Sequence, residues 1–367
     1  MAQHDHTLVL SFPSLSAFLS LPSSPDRSTC LETVYTAAKR ARSSLLVVIR
    51  TAPDAQSPWG TGQGNDANSS ISSSPASPPR PPPTSLFVPL ERALSLVYSA
   101  ATRAYLEEDR LLAKVDVVVE EMRGTGICLP SGADERTVER WEWPSETAVG
   151  GDGASGTAKG KGKAAADDSA PLPSAKIDDG AFISATGSPA PSIYHTLALG
   201  GTFDHLHMGH KLLLSMACSI TSHKLIVGVS DDALLKNKKH RDLLDPLDVR
   251  IRNVESFVAL IRPEVRCECV ALQDVYGPTA HDPSIQALIV SKETKAGGDT
   301  INKLRTSRSL PPLDVWCISL VAHDAQGGSA TSQEEKVAVE VSSKMGSTGI
   351  RKWLAKKREA EGAEKGT

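Results

Sequence analysis

Residues 193–222 read I-Y-H-T-L-A-L-G-G-T-F-D-H-L-H-M-G-H-K-L-L-L-S-M-A-C-S-I-T-S. The run Ile193–Leu199 has the composition of a β-strand, two glycines follow it, and apolar residues recur at helical spacing from Met208 onward. A strand, a turn and a helix in this order bring free backbone N–H groups and the positive end of a helix dipole to one place. Gly200 and Gly201 leave room there for close approach of a backbone. The stretch therefore predicts a turn that can bind a phosphate group.

Two histidines follow the turn at a spacing of three residues, His207 and His210. In the first turn of a helix both imidazoles can face one ligand and donate hydrogen bonds to phosphoryl oxygens as charge develops on them. The alternative is that His207 only caps the helix and that His210 is an ordinary solvated side chain. The complete string G-G-T-F-D-x-x-H-x-G-H favours the phosphate site.

The alternation of strands and helices continues after this unit. Strands are predicted at 193–199, 224–230, 266–272, 287–291 and 314–321, and helices at 208–222, 246–262, 298–309 and 347–358. Such alternation is typical of a parallel sheet with helices on both faces and ligands at the carboxyl ends of its strands. Residues 191–360 are therefore predicted to form an α/β domain with a doubly wound, Rossmann-like parallel sheet of five strands.

A smaller α/β domain is predicted before it, in residues 1–122. Its strands are expected at 7–12, 44–49 and 115–119, and its helices around 31–41 and 89–112. Residues 51–84, rich in Ser, Pro, Gly and Asn, are predicted to be a disordered insertion, and residues 123–190 a flexible linker. The smaller domain shows no catalytic constellation. It is interpreted either as a regulatory or docking domain or as an element for stability or dimerisation.

Composition limits the class of protein. The 367 residues have room for two or three domains, and a net charge of −3 gives no bulk attraction to nucleic acid. The six cysteines include no C-x-x-C pair, which is typical of free thiols in a reducing compartment. No run reaches the ~18 apolar residues of a membrane span, and the N-terminus lacks the basic start of a signal peptide. These features predict a cytoplasmic protein without nucleic-acid or membrane partners.

Three segments carry a resemblance to a known family. Thr202-Phe203-Asp204 with His207-Met208-Gly209-His210 resembles the signature of the HxGH nucleotidyltransferase superfamily. The continuation through Val227–Asp231 and Asp274–Pro278 closely resembles the eukaryotic type of phosphopantetheine adenylyltransferase, over roughly residues 192–356. The resemblance implies transfer of AMP from ATP to 4′-phosphopantetheine, which gives dephospho-coenzyme A and pyrophosphate. Other enzymes of coenzyme A synthesis are then the partners expected for a docking domain.

The same resemblance implies the site residues. The implied catalytic residues are Thr202, His207 and His210. Those implied for ATP are Gly201, Thr202, Phe203, His207, Gly209, His210, Ser291, Glu293, Thr294, Ser347, Thr348 and Arg351. Those implied for phosphopantetheine are Thr202, Lys236, Lys239, Asp274 and Tyr276. Mg²⁺ is expected to arrive with ATP and bridge its phosphates, and no metal site of the protein itself is expected.

Several of these residues have a plainer interpretation. The hydroxyl of Thr202 can belong to an ordinary turn, the basic run 236–241 can be a solvated face, and Tyr276-Gly277-Pro278 can be a turn alone. The segment Gly346–Arg351 can be a capped terminal helix without a ligand, since two glycines stand where related enzymes carry hydroxyl residues. Which lysine of 236–239 holds the acceptor phosphate stays open.

Other functions also stay open. A different cytidylyl- or adenylyltransferase of the HxGH superfamily shares the main signature. The motif H-M-G-H with K-M-G-S-T also resembles class I aminoacyl-tRNA synthetases, although the sequence contains no pattern of an anticodon-binding module. A scaffold protein of the pathway is the alternative outside enzymes, and the presence of both His207 and His210 weighs against it.

Overall fold

The structure is a computed structural model that describes residues 4–52, 59, 83–123, 137–144, 181–319 and 346–364. Most of the insertion predicted at 51–84 and of the linker predicted at 123–190 lies outside these residues. Among the helices of the described ranges, none has both the length and the apolar character that crossing a membrane requires.

The first sheet belongs to the N-terminal part of the chain. Its four strands are all parallel in the order β3-β2-β1-β4. They are β1 (His6–Phe12), β2 (Ser44–Thr51), β3 (Lys114–Val119) and β4 (Val138–Glu142). The helices of this part are α1 (Leu15–Leu19), α2 (Arg27–Arg40), α3 (Phe87–Glu107) and α4 (Glu120–Arg123).

The second sheet has the order β5-β10-β9-β6-β7-β8. Its strands are β5 (Phe182–Ile183), β6 (Tyr194–Gly201), β7 (Thr221–Ser230), β8 (Arg266–Leu272), β9 (Ala287–Ser291) and β10 (Asp314–Ile318). Its helices are α5 (Met208–Ser219), α6 (Leu247–Ile261), α7 (Lys295–Ser307) and α8 (Ser347–Glu364). The predicted five-stranded parallel sheet is therefore confirmed, and β5 adds a short antiparallel edge strand that sequence analysis did not predict.

Two strands lie inside the residues predicted as linker. Val138–Glu142 pairs with β1 in the first sheet, and Phe182–Ile183 pairs with β10 in the second. Phe182–Ile183 is too short to show a periodic pattern, and three of the five residues of Val138–Glu142 are charged, so sequence analysis predicts neither strand. Trp59 lies in the insertion 51–84 that is predicted to be disordered. Its indole is nevertheless buried and donates a hydrogen bond to the carbonyl of Ser219 at 2.8 Å.

The two sheets share one hydrophobic core, which sequence analysis did not anticipate. Helix α3 of the N-terminal part packs against α5. Trp316 of β10 is fully buried, and its ring lies 4.6 Å from the ring of Phe87 on α3 and 4.7 Å from that of Phe182. Its indole donates a hydrogen bond to the hydroxyl of Tyr194 at 3.0 Å. The N-terminal part is thus packed directly onto the sheet that carries the HxGH motif.

Candidate active site

The loop between β6 and α5 follows a constrained path. Phe203 and His205 both have left-handed backbone conformations, with φ of 52° and 51°, which non-glycine residues seldom adopt. The ring of Phe203 is fully buried beneath the loop. A Cβ on Gly201 would lie 3.2 Å from this ring, so this glycine makes room for Phe203. Backbone strain of this kind is concentrated at functional sites.

His207 and His210 face each other at the start of α5. Their rings stack with centroids 3.9 Å apart and planes inclined by 28°, and the ring of Phe203 lies 5.2 Å from that of His210. Nδ1 of His207 accepts a hydrogen bond from the backbone N–H of Gly209, so His207 does cap the helix. Its Nε2 is then the protonated nitrogen, and it donates to the hydroxyl of Ser347 at 3.1 Å. Nδ1 of His210 is buried and has no hydrogen-bond partner among the described residues, so the alternative of an ordinary solvated histidine is wrong.

Both imidazoles are neutral in this environment. Burial lowers the pKa of His207 to about 3, and nearby cationic groups, including Lys211 and Arg351, act in the same direction. Burial and the neighbouring His207 also hold the pKa of His210 well below its usual value. Neutral stacked rings avoid the repulsion of two imidazolium ions, and each still offers one N–H donor.

The N-terminus of α8 meets the N-terminus of α5 at this point. The hydroxyl of Ser347 accepts from His207 and itself donates to the carbonyl of Asp204 at 3.3 Å. Both helices are long enough to carry a substantial dipole, and both positive ends lie at the same place. Sequence analysis placed Ser347 and His207 at one ligand, and the structure brings them together across 140 positions of the chain.

Arg351 pairs with the HxGH loop, and its expected contact with ATP stays a prediction. Its guanidinium is 1% exposed, and it forms an ion pair with the buried carboxylate of Asp204. It also donates to the carbonyl of Lys239 at 3.0 Å. Arg351 therefore fastens α8 to the HxGH loop. Thr348, also expected at ATP, is exposed and contacts Arg351 at 3.4 Å.

Asp204 and Asp245 shape the loop, a role that sequence analysis missed. Asp204 accepts a hydrogen bond from the backbone N–H of Asp245 at 2.9 Å, and Asp245 accepts from that of His205 at 3.1 Å. Pro246, directly after Asp245, is the N-cap residue of α6. Ligand atoms of Asp204, His205 and Asp245 lie within 4.8 Å of one another, close enough for a metal ion, yet they already make the contacts just described.

Arg250 joins the carboxyl ends of the two central strands. It is fully buried, and its guanidinium donates to the carbonyls of Thr202 at 2.9 Å, Ser230 at 2.7 Å and Asp245 at 2.9 Å. This arrangement fixes the backbone of Thr202, whose side chain is half-buried. Arg250 therefore has a structural role, because it holds three backbone carbonyls in place.

The residues expected around the acceptor occupy two loops. Lys236 and Lys239 are exposed after the end of β7, and their ammonium groups make no ion pair with the described residues. Asp274 accepts from the backbone N–H groups of Tyr276 at 2.8 Å and Gly277 at 2.7 Å, and these bonds lower the pKa of its carboxyl. Asp274 thus builds the turn, as the plainer interpretation predicts. Tyr276 is half-buried and packs against a second, smaller hydrophobic cluster, which includes Leu288, Val290 and Val315.

The residues after β9 also lie at the carboxyl edge of the sheet. The hydroxyls of Ser291 and Thr294 lie 3.1 Å apart and form a capping box, while Glu293 is exposed. Because β9 pairs with β6, this turn lies at the same edge as Thr202. Arg305 on the next helix is fully buried, where its guanidinium bonds the carbonyls of Thr279 and Asp282. It therefore holds the loop before β9.

Known proteins match this part of the chain. The cytidylyltransferase-like family profile matches residues 198–324. A phosphopantetheine adenylyltransferase of Methanopyrus kandleri is 36% identical over 128 residues, which are 35% of this chain and 80% of that protein. The chain belongs to the phosphopantetheine adenylyltransferase family. A second archaeal member, from Pyrobaculum aerophilum, is 34% identical over 139 residues, which are 38% of this chain and 88% of that protein.

A fungal member of the phosphopantetheine adenylyltransferase family is more similar in sequence than the two archaeal proteins, but a smaller share of its own length is matched. The Saccharomyces cerevisiae protein is 45% identical over 135 residues, which are 37% of this chain and 44% of that protein. The chain therefore matches less than half the length of this relative. The cytidylyltransferase-like match at 198–324 includes the HxGH loop and the loops after β7, β8 and β9, whereas Ser347 and Arg351 lie beyond it. The assignment of α8 to the site thus rests on its contacts with His207 and Asp204.

Proposed function

We propose that this protein transfers AMP from ATP to 4′-phosphopantetheine in coenzyme A synthesis. A phosphate oxygen of phosphopantetheine attacks the α-phosphorus of ATP, and the bond from that phosphorus to the bridging oxygen of the β-phosphate breaks. Pyrophosphate leaves with that oxygen, and dephospho-coenzyme A is the second product. Family membership supports the reaction class, and no protein nucleophile is needed.

The observation that carries the proposal is the meeting of His207 and Ser347 at 3.1 Å. It brings the positive ends of α5 and α8 and two neutral imidazoles to the turn after β6. Two helix N-termini and N–H donors at one place suit the phosphates of a nucleotide. His207 and His210 would donate to phosphate oxygens as negative charge develops in the transition state, and the backbone at Thr202 would lie beside the reacting phosphorus.

Mg²⁺ enters this proposal as part of the substrate. The cation prefers oxygen ligands, keeps several waters and bridges the phosphates of ATP, so it needs few protein ligands. The acceptor would bind on the side of the β7 and β8 loops, where the ammonium groups of Lys236 and Lys239 are exposed. Either cation can pair with the acceptor phosphate.

A substrate screen tests this function. Pyrophosphate release is measured with MgATP or MgCTP against phosphopantetheine, phosphocholine, nicotinate mononucleotide and amino acids. The proposal expects release with ATP and phosphopantetheine, with dephospho-coenzyme A identified as product. Release with CTP or with another acceptor, and none with phosphopantetheine, would assign the chain to another reaction of the cytidylyltransferase-like group.

A further inference from the structure

One segment of the N-terminal part contacts both helices that form the site. Residues 107–116 connect α3 to β3, and they include Asp109 and Asp116. Asp116 contacts α5, which carries His207 and His210, and Asp109 contacts α8, which carries Ser347. No residue of this segment belongs to the site as sequence analysis defined it.

The contact with α5 is a buried ion pair. Lys211 is 5% exposed, and its ammonium lies 2.6 Å from the carboxylate of Asp116 and donates to the carbonyl of Val115 at 2.7 Å. The other oxygen of Asp116 lies 2.7 Å from Nε2 of His4. Burial alone would raise the pKa of Asp116, but the ammonium of Lys211 and the contact with His4 hold it well below its usual range. Separating this pair is costly, because two buried charges would lose their mutual attraction where water cannot replace it.

Lys211 is directly adjacent to His210 in the first turn of α5. Its backbone N–H donates to the carbonyl of His207 at 3.1 Å, so it completes the turn that holds both imidazoles. Lys211 thus links the turn that holds the histidine pair to Asp116, which lies 95 positions earlier in the chain.

The contact with α8 involves Asp109. Its carboxylate accepts a hydrogen bond from the indole N–H of Trp353 and lies 3.6 Å from the ammonium of Lys357. The same ammonium lies 4.2 Å from the centroid of the Trp353 ring. Asp109 has a left-handed backbone conformation, with φ of 55°. Trp353 lies six residues after Ser347, so this contact joins the end of α3 to the helix whose first residue contacts His207.

Aromatic side chains fill the switch point of the N-terminal sheet. In its order β3-β2-β1-β4 the chain adds β2 and β3 on one side of β1 and β4 on the other, so the switch point lies between β1 and β4, where such sheets bind ligands. Phe12 at the end of β1 fills this place with Trp141 and Trp143, whose ring centroids lie 5.5 and 5.4 Å from its own. The contacts of this part with α5 and α8 reach the second sheet instead.

We propose that the N-terminal part positions the active site, with Asp116 holding α5 and Asp109 holding α8 so that His207 and Ser347 stay in contact. Asp109, Asp116, Lys211 and Trp353 are positioning residues in this account. The fall in kcat that this proposal predicts rests on the proposed function. The predicted shift in the position of the His207 and His210 rings does not.

Two variants of the full chain test the proposal. Trp353→Phe removes the N–H donor and keeps the packing of a ring, and Lys211→Met removes the ammonium and keeps much of the side-chain volume. Arg252→Ala is the control, because it breaks an exposed ion pair with Asp248 on α6 without touching α5 or α8. We expect kcat to fall about 10- to 100-fold in both test variants, with KM for ATP changed by less than about twofold. We expect no change in the control.

Two further measurements separate positioning from stability. The NMR signals of the His207 and His210 rings should shift in both test variants and stay unchanged in Arg252→Ala. Adding Asp116→Asn to Lys211→Met removes the buried carboxylate that has lost its ammonium partner, so the melting temperature should recover while the ring signals and kcat stay altered. Recovery of kcat together with the melting temperature, or unchanged ring signals in both variants, would overturn the proposal. If the wild-type protein transfers no AMP to phosphopantetheine, the proposed function fails, and the ring signals still decide the positioning role.

Discussion

At the scale of single residues, His207 caps α5 and still offers an N–H for its proposed role at a phosphate, although sequence analysis treated capping and phosphate binding as alternatives. Its Nδ1 caps α5 through Gly209, and this bond leaves the proton on Nε2, which points to Ser347. The capping bond therefore fixes the tautomer that can donate to a phosphate. The other neutral tautomer, with its proton on Nδ1, could not accept the bond from Gly209 and would present a lone pair at Nε2, which repels an anion.

The depressed pKa values give a prediction for pH dependence. An unfolded histidine titrates near 6.5, whereas the pKa of His207 is about 3 in the fold. Between these values the unfolded chain binds more protons, so the free energy of unfolding should decrease as pH falls below 6.5. His207→Gln should remove about 1–2 kcal/mol of the loss between pH 7 and pH 5. Urea unfolding at the two pH values measures this difference.

NMR titration of the rings provides the direct check. In the free protein both rings should stay neutral down to pH 5, and binding of MgATP should raise both pKa values because anionic phosphates stabilise imidazolium. A midpoint near 6.5 for both rings in the free protein would show that they lie in solvent. That result would contradict the stacked, buried pair.

At the scale of elements, the contact between β7 and the Leu272 side chain is a sharp constraint. A Cβ built on Gly228 would lie 2.7 Å from Leu272, whereas one built on Gly200 of the neighbouring strand would lie at an ordinary 3.6 Å. We expect Gly228→Ala to lower the free energy of unfolding by about 1 kcal/mol or more through overpacking. Gly200→Ala is the matched control and should cost nothing. Denaturant titration should also show that the free energy of unfolding recovers in part when Leu272→Ala is added to Gly228→Ala. An equal loss of stability in Gly228→Ala and Gly200→Ala would refute overpacking as the cause.

Most elements could be predicted because periodicity is a local property. The predicted bounds of β8 and β9 match the structure, and the strand–turn–helix unit at His207 lies where its pattern placed it. The end of α5 was predicted too late, at 222, because Thr221 already pairs with Tyr194 of β6. At the end of α5, the pairing of Thr221 in the sheet therefore overrides the helical pattern of the sequence.

The contacts that assemble the site could not be predicted in the same way. Asp204 and Arg351 are 147 positions apart, and Lys211 and Asp116 are 95 apart. The residues next to a charged side chain in the sequence do not show whether it will be buried with a partner or face a ligand. The family resemblance implies ATP as the contact of Arg351, and the structure adds an ion pair with Asp204 that its sequence does not indicate.

At the scale of the whole molecule, the two α/β parts should unfold together. Their sheets share a core in which Trp316 contacts Phe87, and the buried Lys211–Asp116 pair crosses between them. Calorimetry of the full chain should therefore show one cooperative transition, with equal van't Hoff and calorimetric enthalpies. Two separate transitions would show that the N-terminal part is an independent domain.

The proposed mechanism requires the stacked histidines to stabilise charge on the phosphates while AMP is transferred. Single-turnover transfer from MgATP to phosphopantetheine in His210→Ala measures this contribution, with ATP affinity measured on the same sample. Loss of one donor to the transition state should slow transfer by about 100-fold or more, while the melting temperature and ATP affinity stay close to those of the wild type. Transfer at the wild-type rate in His210→Ala would contradict the account.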